Sequence, residues 1–128
     1  MKLLLDTHAF VWWVSDTSKL SAATRAAIAD PDNDIFVSAA TAWELATKVR
    51  RGRWPQAQRL ATDFHELLSA EGFEPLAIST HHGLLAGSMA GDHNDPFDRM
   101  LAAQAVAEGM RVVTIDPAIA TFGALVVW

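Results

Sequence analysis

Short apolar runs alternate along this chain with amphipathic segments of helical length. Apolar runs of strand length occupy residues 2–6, 35–37, 74–78, 111–115 and 124–127. Helical periodicity fits residues 7–14, 18–29, 39–51, 56–70, 80–90 and 96–108. When strands alternate with helices in this way, the usual result is a parallel sheet with helices on its faces. The pattern therefore predicts an α/β protein with a central parallel sheet.

Residues 93–101, with the sequence HNDPFDRML, carry the clearest local signal. Asp95 is predicted to be a helix N-cap, because its side chain can accept a backbone N–H that the first turn leaves unpaired. Pro96 then takes the first helical position, where its missing N–H costs nothing. Asp98 lies within the positive end of the helix dipole, and Gly109 is predicted to end the helix.

Two other acidic residues follow strands directly. Asp6 comes after the run at 3–5, and Asp116 comes after the run at 112–115. In open α/β sheets, ligands bind at the carboxyl ends of the strands. Asp98 precedes a narrow face of small residues that can lie close to the sheet. We therefore expect Asp6, Asp98 and Asp116 to meet at one edge of the sheet.

The position of Glu44 is ambiguous from helical periodicity alone. The apolar stripe predicted for its helix consists of Ala42, Leu45, Ala46 and Val49. Glu44 falls on the opposite side, and Lys48 follows four residues later. An ordinary surface ion pair between these two residues is therefore the simpler interpretation, worth a few tenths of a kcal/mol.

Composition limits the class of protein. The 128 residues suit one domain with a sizeable core, and a hydrophobic content of 51% argues against disorder. The absence of cysteine excludes disulfides, thiolate metal sites and Cys nucleophiles, and is compatible with the cytoplasmic location that we expect. The N-terminal apolar run is too short for a signal peptide, and no stretch is long enough to span a membrane.

The net charge of −5 argues against a passive nucleic-acid-binding module, which is normally basic. Positive charge is concentrated in one run, formed by Lys48, Arg50, Arg51 and Arg53. This run is a candidate for binding substrate phosphates. The alternative is a solvated helix end, where cations are favoured near the C-terminus.

The acidic residues suggest a reaction class. Asp6, Glu44, Asp98 and Asp116 are the four that we expect to come together, with Asp95 beside them. Carboxylate oxygens are hard ligands that suit Mg²⁺ or Mn²⁺. Such a metal can activate water and stabilise charge on a phosphodiester, so the residues suggest metal-assisted phosphodiester hydrolysis.

Four segments together resemble the PIN-domain ribonucleases, and within them the VapC-like toxins of bacterial toxin–antitoxin pairs. The matching segments are LLDTH at 4–8, SAATAWE at 38–44 with Lys48, HNDPFDR at 93–99, and VTID at 113–116. The resemblance implies a three-layer α/β/α sandwich, with residues 1–128 forming a single PIN domain. It also implies a Mg²⁺-dependent endoribonuclease in which Mn²⁺ substitutes, an RNA substrate, a cognate antitoxin protein and a homodimer.

The resemblance also assigns residues by position. The acidic quartet that it implies as catalytic and metal-binding consists of Asp6, Glu44, Asp98 and Asp116. The residues that it implies as support for the site are Thr7, Ser38, His93, Asp95 and Arg99.

Other enzyme and binding classes are alternatives. A two-metal phosphoesterase would use His8 and His93 as ligands, but the later histidine motifs of that class are missing. A PIN-fold binding module without activity is a further alternative, and the intact quartet argues against it. A Ser–His–Asp hydrolase lacks its Gly-x-Ser-x-Gly turn. For His81 and His82, the simpler expectation is the exposed first turn of a helix.

The aromatic residues are expected mostly in the core. They include Phe10, Trp12, Trp13, Trp43 and Trp54. Because Trp12 and Trp13 are adjacent, they cannot share one helix face, so we expect one of them to be exposed and available for an interface.

Overall fold

The structure is a computed structural model that describes residues 1–128. Its strands are β1 (Lys2–Leu5), β2 (Asp34–Ser38), β3 (Glu74–Leu76), β4 (Arg111–Val113) and β5 (Leu125–Val127). Its α-helices are α1 (Thr7–Ser15), α2 (Ala22–Ala29), α3 (Ala39–Arg50), α4 (Ala57–Thr62), α5 (Phe64–Glu71), α6 (Thr80–Ser88) and α7 (Pro96–Glu108). None of these helices has the length and apolarity needed to cross a bilayer.

All five strands join one sheet in the order β3-β2-β1-β4-β5, and every neighbouring pair is parallel. The chain adds strands on one side of β1 first and then crosses to the other side. The order therefore reverses between β1 and β4, which makes their carboxyl ends the topological switch point of the sheet. The backbone N–H of Asp6 donates to Val113 O at 3.1 Å, so the two strands stay together where they end.

The sheet has a separate hydrophobic core on each face. Side chains alternate along β1, so that Leu3 and Leu5 enter one core and Leu4 enters the other. The first core includes buried residues from α1 to α5, and the second includes the face of α7 formed by Leu101, Ala102 and Ala105. This arrangement confirms the predicted three-layer α/β/α sandwich with a central parallel sheet.

Two predicted helices differ from the structure. The helix predicted over 56–70 is two helices, since the chain turns at Asp63, where α4 ends and α5 begins. The helix predicted over 18–29 begins only at Ala22, because Ser21 caps it by accepting the N–H of Thr24. A 3₁₀ turn at Thr17–Lys19 fills the preceding residues.

The sheet is also shorter at its carboxyl edge than predicted. The strand expected to reach residue 78 ends at Leu76, and the one expected to reach residue 115 ends at Val113. After β4, the chain bends at Ile115 and turns at residues 117–118, and an unpredicted 3₁₀ helix, Ile119–Phe122, packs into the second core. The early end of β4 lets the chain from 114 to 116 curve over the sheet edge.

Candidate active site

Two acidic side chains are fixed by the turns that follow β1 and β4. Asp6 is 7% exposed, and its Oδ1 accepts the N–H of Ala9 at 2.7 Å, which caps α1. Asp116 has a similar local arrangement: its N–H donates to Thr114 Oγ1 at 3.0 Å, and its Oδ1 accepts the N–H of Ala118 at 2.9 Å. Both carboxylates therefore lie at the switch point, as the strand pattern predicted.

The start of α7 carries two more carboxylates. Asp95 caps the helix as predicted, because its Oδ1 accepts the N–H groups of Phe97 at 2.9 Å and Asp98 at 3.1 Å. Pro96 occupies the first turn, and Gly109 ends the helix in the left-handed conformation with φ +67°. Both capping bonds use Oδ1 of Asp95, so Oδ2 remains available to the cleft beside it.

Glu44 lies in the same cleft, and the surface-pair interpretation of this residue was wrong. Its Oε1 accepts the hydroxyl of Thr7 at 2.7 Å, and that hydroxyl is also 3.2 Å from the hydroxyl of Thr41. Glu44 and Lys48 form no ion pair. The side of α3 opposite its core stripe faces the cleft rather than bulk solvent, and this placement cannot be deduced from helical periodicity. The predicted apolar stripe of α3 was also wrong in one member, because Ala46 is exposed.

These acids surround one cleft of about 430 Å³. Its lining consists of Asp6, Thr7, His8, Trp12, Glu44, Lys48, Asp95, Asp98, Ile115 and Asp116. The cleft therefore gathers five carboxylates with a single cationic side chain. All four members of the predicted quartet line it.

The environment of the cleft raises the pKa of three carboxyl groups. Burial is the largest cause of the raised pKa of Asp6, Glu44 and Asp98. Neighbouring carboxylates add to this effect: Glu44 raises the pKa of Asp6, and Asp95 raises the pKa of both Glu44 and Asp98. Hydrogen bonds act in the opposite direction, notably from Thr7 to Glu44. The site therefore holds more negative charge than its own cations neutralise.

The donor set fits a hard divalent cation. It contains several carboxylate oxygens and no sulfur, which suits Mg²⁺ or Mn²⁺, and a cation would relieve the repulsion that raises these pKa values. No group of three or more acidic or imidazole side chains converges as a ready-made ligand set. Mg²⁺ keeps several of its waters and usually binds through only one or two carboxylates, so it does not require such a set.

His93 is held against Asp98 in front of the cleft. Its Nε2 lies 2.8 Å from Asp98 Oδ2, and this bond is the main cause of the raised pKa of His93. The side chains of His93 and Asp98 are 32% and 23% exposed. The imidazole therefore fixes one oxygen of Asp98 and leaves the other free for the site.

Arg99 holds the loop that carries His93. Its guanidinium donates to His93 O at 3.0 Å, and its remaining acceptors are Ala86 O at 3.0 Å, Gly91 O at 3.5 Å and Met89 O. The guanidinium carbon also lies 4.9 Å from the centre of the Phe122 ring. Arg99 thus contacts backbone carbonyls rather than the carboxylates, which gives it a structural position behind the site.

Ser38 links α3 to α7. Its hydroxyl accepts the N–H of Ala40 at 2.9 Å, which caps α3, and donates to Gln104 Oε1 at 2.6 Å. Gln104 is fully buried, and its Nε2 donates to Ala77 O at 3.3 Å. These bonds set the spacing between the helices that carry Glu44 and Asp98. Sequence reasoning did not give Gln104 this role, because a polar residue within an apolar helix face reveals no partner.

His82 is buried, contrary to the expectation of an exposed first turn, whereas His81 is exposed as expected. The Nδ1 of His82 accepts the N–H of Ser79 at 3.0 Å, and its Nε2 lies 2.8 Å from Glu108 Oε1. The Ser79 hydroxyl in turn accepts the N–H of His82. This is a reciprocal capping box with histidine in the place of the usual Glu or Gln. The Ser-x-x-His spacing is the sequence feature from which this capping box could have been predicted.

The predicted basic substrate-binding run is only partly at the cleft. Lys48 lines the cleft, whereas Arg53 lines a separate groove together with Trp54, and Arg50 and Arg51 are exposed on the surface. The three arginines therefore do not surround the acidic residues. A role for them in binding substrate stays a prediction.

The aromatic residues divide between core and surface. Phe10 is buried, and Trp12 and Trp13 are each half-buried on different sides of α1, so the expectation that one of the two would be exposed was wrong. Trp12 lines the cleft, whereas the indole of Trp13 donates to Glu71 at 2.9 Å. The core expectation was wrong for Trp43, which is 58% exposed, because its position on α3 lies outside the buried stripe.

Comparison with known proteins identifies the family. The PIN domain profile matches residues 3–125. The chain is 30% identical over 115 residues to Ribonuclease VapC22 of Mycobacterium tuberculosis, covering 89% of this chain and 86% of that protein. It is also 36% identical to Ribonuclease VapC16 of the same organism over 59 residues, which cover 46% of this chain and 42% of that protein.

Solved structures share the fold at low sequence identity. VapBC2 of Rickettsia felis, bound to a promoter DNA fragment, contains a chain with a TM-score of 0.73 and 18% identity, covering 99% of this chain and 98% of that one. VapBC-1 of nontypeable Haemophilus influenzae gives a TM-score of 0.70 at 19% identity, with coverage of 99% and 97%. The profile match, the relatives and the fold agree that this chain belongs to the PIN-domain family, in its VapC-like branch.

Proposed function

We propose that this protein is a metal-dependent endoribonuclease and the toxin component of a toxin–antitoxin pair. The observation that carries the proposal is the cleft at the switch point, which is lined by five carboxylates and by Lys48 as its single cationic side chain. Such a concentration of acids repels a nucleic acid unless a divalent cation lies between them. The relatives named ribonuclease VapC support RNA as the substrate.

Each acidic residue has a part in the proposed site. Asp6, Asp98 and Asp116 are the proposed principal holders of Mg²⁺ or its waters, and Mn²⁺ is expected to substitute. Glu44 is the proposed fourth acid, oriented by its hydrogen bond from Thr7. When bound, the cation would supply Lewis acidity and a water activated for attack on phosphorus.

Other residues keep these acids in place. His93 fixes Oδ2 of Asp98, and Arg99 holds the loop behind it. Ser38 and Gln104 set the distance between α3 and α7. These contacts support two roles in the proposed site: the acidic side chains face the phosphodiester, and the residues named here hold the acids in position.

The proposal extends to partners and location. Both structural neighbours come from VapBC complexes, which supports an antitoxin as the partner that silences the enzyme. A homodimer is expected from the resemblance to VapC-like toxins. A cytoplasmic location is part of the same proposal, because RNA is available there.

Cleavage of a labelled single-stranded RNA tests the metal dependence. The purified protein should cleave with Mg²⁺ or Mn²⁺, stop when EDTA is added, and resume when Mg²⁺ is returned in excess. Asp63→Asn is a control that should respond to EDTA and Mg²⁺ as the wild type does, because Asp63 is a partly exposed acid at the junction of α4 and α5 that does not line the cleft. Full cleavage in EDTA would contradict the metal mechanism.

A further inference from the structure

One wall of the acidic cleft is aromatic. His8 and Trp12 lie one turn apart on α1, and both line the cleft. The His8 ring is 5.4 Å from the Trp12 ring, with planes tilted by 59°, and 4.9 Å from the Trp54 ring, stacked at 29°. Trp54 lines the neighbouring groove and is joined to the cleft through its contact with His8. We refer to His8, Trp12 and Trp54 as the aromatic wall. Of the three, His8 is exposed and the two tryptophans are half-buried.

The backbone at Trp54 is unusual. It is the only non-glycine residue of the chain with a positive φ, at 59°. Bulky residues rarely adopt this conformation, and residues held in it concentrate at functional sites. Here the conformation accompanies the stacking of the Trp54 indole on His8, beside the cleft. The chain therefore keeps an unfavourable backbone state at the residue that completes the wall.

The cleft has little positive charge with which to bind the phosphates of a substrate. The protein carries a net charge of −5, and Lys48 is the only cationic side chain in the lining of the cleft. Contacts between cationic side chains and phosphates, which supply much of the affinity of basic nucleic-acid-binding proteins, can therefore contribute little here. Stacking of a base on an aromatic ring does not depend on positive charge and accepts every base, because each has a π-face.

We propose that the aromatic wall binds an unpaired nucleobase next to the phosphodiester that the acids hold. This inference rests on the proposed ribonuclease function and adds the side chains that contact a base beside the cleaved bond. A base within a duplex is stacked and paired, so it cannot lie against the wall without leaving the helix.

Variants at His8 separate stacking from chemistry performed by the imidazole nitrogens. His8→Ala removes ring surface from an exposed position, whereas His8→Phe restores an aromatic ring without a nitrogen. His81→Ala is the matched control, because His81 is also an exposed histidine at the second position of a helix, here α6, and it does not line the cleft. Melting curves establish a working temperature at which all the variants are folded.

Two readouts are needed. The first is kcat and KM for cleavage of a short fluorescent single-stranded RNA and of its duplex. The second is the Kd for the same single strand, measured by fluorescence anisotropy with each variant combined with Asp98→Asn. Cleavage by the wild-type protein tests the proposed function, and binding to the Asp98→Asn proteins tests the wall independently.

Loss of one stacked base should raise Kd and KM about five-fold to a hundred-fold in His8→Ala, with kcat within about two-fold of wild type. His8→Phe and His81→Ala should remain close to wild type, and the duplex should be cleaved poorly. An unchanged KM and Kd in His8→Ala would overturn the proposal, as would equal cleavage of duplex and single strand. If His8→Phe is as defective as His8→Ala, the imidazole nitrogens act instead, as a two-metal phosphoesterase would require.

Discussion

The N-cap of α7 offers a test in which structure and charge can be separated. Asp95 Oδ1 accepts two backbone N–H groups, and both would be left without this partner in Asp95→Ala. The same substitution also removes a negative charge that raises the pKa of Glu44 and Asp98. The cap and the charge therefore act on stability in opposite directions.

Comparison of three variants isolates the cap. Asp95→Asn and Asp95→Ala remove the same charge, but Asn keeps a side-chain oxygen for the cap and Ala does not. Their difference should be about 1 kcal/mol and at most about 2 kcal/mol. For a chain of 128 residues, an unfolding entropy of about 2.1 cal/mol/K per residue converts this into a Tm difference of about 4 to 7 °C. Asp95→Ser should be closer to Asn than to Ala.

The assay is thermal unfolding in EDTA together with RNA cleavage at saturating Mg²⁺. Asp95→Asn and Asp95→Ser should retain substantial cleavage, because the main role of residue 95 is to cap the start of α7. Asp98→Asn should keep the helix and lose roughly 10²-fold or more of the activity, as other electrostatic groups in active sites do. If Asp95→Ser is as inactive as Asp98→Asn, then Oδ2 of Asp95 acts in the reaction and the capping account is refuted.

Three further predictions concern the loop, the charge and the assembly. Arg99→Met should lower both Tm and kcat, because the carbonyls of the loop before α7 lose their donor and His93 is no longer held against Asp98. Arg99→Lys should restore only part of both values. Unchanged activity of Arg99→Met would contradict the proposal that Arg99 positions His93. In EDTA, Asp6→Asn should be as stable as wild type below the ordinary Asp pKa of 3.8 and increasingly more stable than wild type as pH rises. The reason is that a carboxyl group with a raised pKa in the folded state favours folding only while it is protonated, and this contribution is lost as pH rises through that pKa. Unfolding curves of both proteins across pH measure this loss of stability. A stability difference between them that stays constant with pH would be inconsistent with burial of the Asp6 charge. Light scattering should show self-association of the free protein and a complex with the cognate antitoxin, whereas a strict monomer that ignores the antitoxin would count against the toxin assignment.

The sequence predicted the site where one local rule was sufficient. Asp6 and Asp116 could be placed together, because parallel strands bring their carboxyl ends to one edge. Asp95 could be identified as a cap from the Pro96 that follows it. In each case the decisive information lay within a few residues of the side chain concerned.

The rest depended on which elements pack together. Glu44 faces the cleft because α1 and α7 lie beside α3, and helical periodicity distinguishes only core from non-core. His82 can be buried because Glu108, which is 26 residues away in the sequence, accepts a hydrogen bond from its second ring nitrogen. The contact between Trp54 and His8 requires a left-handed residue after α3, and no residue pattern predicted that conformation.

Turnover of RNA by Asp6→Asn tests most directly whether the acidic cleft is the catalytic site. Asn can still accept the N–H of Ala9 and so keep the cap of α1, while the charge at the centre of the cleft is lost. At saturating Mg²⁺, the account predicts a folded protein, a Tm in EDTA at or above that of wild type, and no detectable cleavage. Cleavage by Asp6→Asn at the wild-type rate would show that the reaction takes place elsewhere.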